Sequence, residues 1–354
     1  MSLLRKAKPD SASLTPSQAA AELSPTQPWT ARRWLAALLS PRTAGMGEGT
    51  PRLNPFAFGL MLGLLALQVV ARYEWGFLDE KWWQTLHVLI GWAGCFGIYA
   101  LFHGWRAVAR ISGATWFVLG LGLVCLTVFW YFGRSDAYRD IFGAPPMDHE
   151  TFWPLVPFMY FASMGTLLRL VVPMLAARFI LKRRPHDFGL PTGRGHREGA
   201  VPGVHWVYVA LAVGMAPVLV IAAQAASFKA KYPLAYDIVD PNGGIWIAHL
   251  LVYELFYFFV FLSGESFWRG FLTFGSEKDL GLYGLAFMAV PYVTGHFGKP
   301  MPETLGAIAA GCALGFLALR HRSVWWGVVL HYSIALSMDL LSIANNGYVI
   351  HGGQ

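Results

Sequence analysis

The 354-residue chain is poor in charge: Asp, Glu, Lys and Arg make up only 13% of it, against about 25% in soluble domains. That shortage excludes an ordinary water-surrounded surface over most of its length. Cysteine is scarce too, with three residues (Cys95, Cys125 and Cys312), all within apolar stretches. That placement argues against a disulfide framework and against a cysteine metal cluster. No His-Glu-x-x-His run occurs, so no local motif favours a metal. The N-terminus lacks the short apolar core of a cleavable signal, the first long apolar run beginning at Phe56.

Hydrophobic residues are plentiful at 55%, and 15 Trp, 14 Tyr and 25 Phe suit aromatic belts at two lipid interfaces. A membrane span needs about 20 mainly apolar residues. Candidate spans are 55–72, 84–103, 114–133, 152–181, 203–225, 244–274, 281–297, 304–319 and 323–344. The expected fold is therefore an all-α, polytopic transmembrane helix bundle of eight to nine spans. The fourth span carries Pro154, Pro157, Pro173 and Arg169, which predicts a kink and a face turned away from lipid. The sixth is too long for one straight span and is expected to break near Gly264 or Gly270.

Five regions follow. Residues 1–50 read as a flexible cytoplasmic tail, within which Trp29 to Leu39 could form a short amphipathic surface helix. Residues 51–181 form a four-span N-terminal membrane region, 182–202 a basic loop, 203–345 a polar-containing core, and 346–354 a C-terminal tail. The net charge of +7 arises from basic loops between spans and does not indicate nucleic acid. Basic segments around Arg106 and Arg110, Lys182 to Arg197, and Arg320 to Arg322 alternate with acidic ones. The positive-inside rule then places the N-terminus in the cytoplasm.

Ionisable residues concentrate in the second half: Glu254, Glu265, Arg269, His296, His331 and Asp339. Such residues at membrane depth are costly, and by default they face a bundle interior or a wet cavity. Glu265 and Arg269, four apart, share one helix face. Glu265, His296 and His331 come from three spans at similar depth, Glu265 roughly 15 Å from the nearest cytoplasmic loop at 1.5 Å per residue. A structural ion pair and two core histidines are the plain interpretation; a shared polar site is the functional one. A desolvated glutamate can act as a general base, and an imidazole can move a proton. The set Glu265, His296 and His331 would also suit a divalent metal such as zinc with an open position; chemistry without a metal is equally compatible with the sequence.

These residues carry a resemblance. Gly264-Glu265-Ser266-Phe267-Trp268-Arg269, Tyr292-Val293-Thr294-Gly295-His296 and His331-Tyr332-Ser333-Ile334-Ala335 are similar to the Glu-Glu-x-x-x-Arg, Phe-x-x-x-His and His-x-x-x-Asn motifs of the CPBP family. That family comprises CAAX prenyl proteases and bacteriocin-processing intramembrane proteases. The resemblance covers residues 186–345, with His186 to Leu190 as a pre-domain loop. It implies an intramembrane endopeptidase, expected in a bacterial inner membrane, acting on a membrane-anchored or amphipathic peptide. Its site residues would be Glu265, Arg269, His296 and His331, with Glu265 activating water, His296 assisting, Arg269 orienting the carboxylate and His331 stabilising the oxyanion. Two positions depart from the pattern. Gly264 stands where proteolytic members have the water-activating glutamate, and Ala335 where they have an asparagine that stabilises the oxyanion. Glu265 could take over the base role. The segment after His296 could bring Lys299 and Glu303 to the cavity mouth, and Tyr292 and Asp339 could complete the network. A catalytically inactive scaffold or immunity-type protein, or a proton-coupled transporter, are the competing expectations.

Overall fold

The computed structural model describes residues 30–190 and 199–352. The expected tail therefore lies outside the described residues over 1–29, as do part of the basic loop and the last two residues. Helix α1 (Ala31–Leu38) forms a unit of its own, and the Thr30 hydroxyl caps it by accepting from the Arg33 N–H at 3.3 Å. The remainder, from Pro41 onward, is one compact unit.

Eight helical stretches in that unit are long and apolar enough to cross a membrane. The protein is an integral membrane, all-α polytopic bundle. We label the crossing helices α2 (Pro55–Trp75), α3 (Gln84–His103), α4 (Gly113–Phe132), α5 (Trp153–Phe179), α6 (His205–Ala222), α7 (Ile247–Glu265, continuing beyond it), α9 (Met301–His321) and α10 (Trp325–Asn346); a short α8 (Gly284–Thr294) precedes α9. Their ends follow local chemistry. Asn54 accepts from the N–H groups of Phe56 and Ala57, with Pro55 at the first helical position, while Gly76 closes α2 in the left-handed conformation (φ 64°).

The sequence expected a full span over 281–297. Instead α8 has 11 residues, about 16 Å at 1.5 Å per residue and short of a hydrocarbon core of about 30 Å. Gly281 (φ 53°) breaks the preceding helix, and Pro291 and the glycine-bearing turn at 295–298 limit α8 at its other end. This short helix is wholly buried. It sits at the centre of the bundle, where the Trp92 indole donates to the Phe287 carbonyl at 2.7 Å and Tyr283 meets His103 at 2.8 Å.

Two crossings contain π-helical turns, which add a residue per turn and frequently mark functional sites. One is Leu167–Val171 in α5, where the sequence expected a kink; the other is Ser266–Phe274, directly after α7. In the second, Thr273 Oγ1 donates to the Trp268 carbonyl five residues back at 2.8 Å. The helix thus widens near Gly264 and Gly270 without breaking there. The described part of the basic loop docks beneath it. Phe188 is fully buried and stacks on Phe271, and the Val324 N–H donates to the Gly189 carbonyl at 2.9 Å. A Cβ on Gly270 would lie 2.9 Å from the Phe188 carbonyl oxygen, so the close approach requires glycine.

Candidate functional site

Glu265 ends the regular part of α7, and Arg269 follows one turn later on the widened segment. Both are essentially inaccessible. Arg269 Nη1 donates to Glu265 Oε1 at 2.8 Å, as the four-residue spacing predicts. His331, on α10, brings Nδ1 within 2.9 Å of the same oxygen. A carboxylate held by a guanidinium accepts and does not donate, so Nδ1 carries a proton and, in the neutral form of the ring, Nε2 is the nitrogen with the lone pair. His331 remains 31% exposed while Glu265 is 1% exposed.

The other carboxylate oxygen, Glu265 Oε2, is buried with no hydrogen-bond partner among the described residues. It lies against α10, where a Cβ on Gly327 would stand 2.6 Å from it. Gly327 is one turn before His331, so α10 both supplies the imidazole and leaves room for the carboxylate it meets.

Three residues from two separated helices, a carboxylate, a guanidinium and an imidazole, are thus joined in a buried chain. Residues 246–337, which contain all three, match the family described as Type II CAAX prenyl endopeptidase Rce1-like. This stretch is similar to an Rce1-like domain, and we call it the Rce1-like domain for that likeness. The match agrees with the resemblance to the CPBP family and, at family level, supports an intramembrane peptidase. No curated protein and no solved structure matches the chain.

Within the Rce1-like domain His296 is linked to the pair indirectly. Its Nδ1 lies 2.8 Å from the Tyr292 carbonyl, which only accepts, so its Nε2 is also the unprotonated nitrogen of the neutral ring. The Tyr292 ring is 4.6 Å from the His296 ring, and the Arg269 guanidinium lies 4.6 Å from the Tyr292 centroid. Tyr292 therefore bridges His296 and Arg269 through its face, a cation–π contact. No hydrogen bond joins His296 to Glu265. Among the described residues no three His, Cys, Asp or Glu side chains are grouped to hold a metal ion. The trio Glu265, His296 and His331 is not grouped as the ligand set that the residue types would allow.

The supporting candidates separate. Lys299 and Glu303 pair with each other at 2.5 Å in a half-exposed position; Lys299 lines the cavity described below, and Glu303 does not. Asp339 does not join the network as expected. Two turns beyond His331 on α10, it accepts from the Tyr253 hydroxyl at 2.6 Å. Ala335 is buried in an apolar cluster with Tyr253 and Phe158.

Residues outside the motifs complete the surroundings. A cavity of about 440 Å3 is lined by Arg169, Trp130, Trp268, Tyr292, His296 and Lys299, among others. Arg169 had signalled only that α5 is not wholly lipid-facing; it is 7% exposed and lies on the α5 π-helical turn. Its Nε and Nη2 donate to the carbonyls of Gly165 and Val260 and, at 3.1 Å, to the Ser263 hydroxyl. The signal that could have found it was the lone cation in a proline-bearing span.

Proposed function

We propose that the protein is an intramembrane endopeptidase that hydrolyses a peptide bond in a membrane-associated protein or amphipathic peptide, with His331 activating the water. The observation that carries this reading is the 2.9 Å contact between His331 Nδ1 and Glu265 Oε1. A buried carboxylate that fixes the tautomer of an imidazole leaves Nε2 free as a base and stabilises the imidazolium that forms, as in the serine protease triad.

The family resemblance assigned the water to Glu265. Its geometry favours a positioning role: one oxygen is committed to Arg269 and His331, and the other is packed against Gly327. His331 is the more accessible partner. Nε2 takes a proton from water as the hydroxide adds to the scissile carbonyl, and the resulting imidazolium returns that proton to the leaving amine. Arg269 keeps Glu265 ionised and oriented throughout. His296, with its own free Nε2, lies on the cavity side of Tyr292 and orients substrate or water there. We place the Lys182–Arg184 side in the cytoplasm on the charge pattern of the loops, and the protein in a bacterial inner membrane on the resemblance to the CPBP family.

The test is cleavage of membrane-anchored peptides by the purified protein in nanodiscs, resolved by mass spectrometry. Cleavage that is lost in His331→Gln, with the variant still folded, supports the reading. Full activity in that variant overturns it. An inactive scaffold is the second reading, favoured by Gly264 and Ala335; it is the outcome if no peptide is cut and partner capture is unchanged by His331→Gln.

A further inference from the structure

The cavity beside the Rce1-like domain is rich in hydrogen-bond donors that have no acceptor. At Gly264 a Cβ would lie 3.8 Å from Arg169 Nη1 and 3.8 Å from Trp268 Nε1, so both nitrogens border the same point beside the glycine. Neither nitrogen donates to any described residue, although the other guanidinium nitrogens of Arg169 are satisfied. A third indole nitrogen, Trp130 Nε1, points towards the same cavity near Gly295, 3.9 Å from where its Cβ would be. All three side chains are at least nine-tenths buried.

Charge agrees with this. At the cavity rim Arg134 is paired with Asp136 and Lys299 with Glu303. Among the described residues Arg169 and Lys231 have no carboxylate within salt-bridge distance. The Phe129 ring, 4.7 Å from the Arg169 guanidinium carbon, offsets part of the cost of burying that charge but does not neutralise it. A buried cation at membrane depth without a counter-charge calls for an anion.

We propose that this cavity binds a monocarboxylate carried on an apolar body, its two oxygens accepting from Arg169 Nη1 and Trp268 Nε1. Two free donors converging on one space match the two oxygens of an ionised carboxylate, which accepts only. A phosphate would bring three acceptor oxygens to the two donors beside Gly264, Trp130 Nε1 standing near Gly295 instead. The aromatic rings of Phe129, Phe158 and Phe161 line the rest of the cavity, and its volume lies in the range of small-ligand pockets. This inference is independent of whether His331 activates water: it concerns binding and needs no turnover.

Binding of radiolabelled decanoate to the full chain in nanodiscs, with empty nanodiscs subtracted, tests it. We expect saturable binding that is displaced by unlabelled decanoate and by an amphipathic peptide with a free C-terminal carboxylate if peptides are a source. Methyl decanoate and decylamine should not compete. Arg169→Gln should weaken binding about tenfold or more, the loss of one charge-assisted hydrogen bond. Gly264→Glu supplies a carboxylate to the same donors from within the chain, so it should abolish decanoate binding and raise the melting temperature. That variant keeps the test decisive if Arg169→Gln does not fold. The proposal is overturned by no saturable binding to the wild type, or by equal competition from methyl decanoate. Tighter binding of decyl phosphate than of decanoate, or undiminished binding in Gly264→Glu, would also overturn it.

Discussion

Gly327 and Glu265 meet across the interface of α7 and α10, with space for no more than a hydrogen at Gly327 beside Oε2. A methyl group 2.6 Å from a buried carboxylate oxygen must push either the carboxylate or the helix aside. Gly327→Ala is therefore expected to cost about 1–3 kcal/mol of stability. It should also lower peptidase activity by more than that loss explains, because His331 rides on the same helix. Thermal unfolding and cleavage rate, measured on the same sample, separate the two effects.

Glu265→Gln tests the division of labour between the carboxylate and His331. The amide can still accept from Arg269, but it no longer stabilises an imidazolium and can select the other imidazole tautomer. The expected outcome is a fall in kcat of about 10²–10⁴ with little change in KM, the range of general acid–base contributions. A large rise in KM with unchanged kcat would instead assign Glu265 to substrate binding.

Arg269 is buried and engages Glu265 directly. Arg269→Leu leaves an uncompensated carboxylate, and breaking a buried pair from one side costs about 3–5 kcal/mol. The double variant Arg269→Leu with Glu265→Leu should recover much of that stability while remaining inactive. A double variant no more stable than the single one would show that the pair is not coupled.

Gly270 permits the loop carbonyl of Phe188 to approach the widened segment. In Gly270→Ala the added methyl meets backbone at 2.9 Å, and backbone cannot rotate away. The melting temperature should fall, by about 1–3 kcal/mol of stability. The 185–190 segment should also become more susceptible to limited proteolysis.

Asp279 fastens the segment before α8 to the start of α4. Its Oδ2 accepts from the Ser112 N–H at 2.9 Å and from the hydroxyls of Ser112 and Thr115 at 2.5 and 2.7 Å. Asp279→Ala removes all three contacts, and a hydrogen bond to a charged group has a net contribution of about 1.5–3 kcal/mol. Destabilisation is the expected outcome, and a variant as heat-resistant as the wild type would show the contact to be dispensable.

The spans were legible because each is a long apolar run, and the Glu265–Arg269 pair because four residues make about one helical turn. His331 was legible as a partner through its depth in the span and its motif, since no spacing rule connects residues 66 apart. The short α8 was not legible: its composition is as apolar as a crossing helix, but it is surrounded by protein rather than lipid. His296 was placed at the correct general depth, yet its ring direction depends on a hydrogen bond to the Tyr292 carbonyl. Arg169 stayed hidden because its environment is supplied by α4 and α7, far away in the chain.

Arg169 and Trp268 both stand on stretches wound more loosely than an ordinary helix. Each residue advances an α-helix by about 100°. Deleting one residue from the Leu167–Val171 stretch would tighten it towards an ordinary helix, and the tighter winding offsets most of the rotation that a lost residue would otherwise impose on the flanking segments. Hydropathy, topology and the phase of the two flanks would stay almost unchanged, while the residues on the stretch itself would be re-aimed. These two places can absorb a change of chain length more readily than the regular helix on either side, at the expense of the donors they carry.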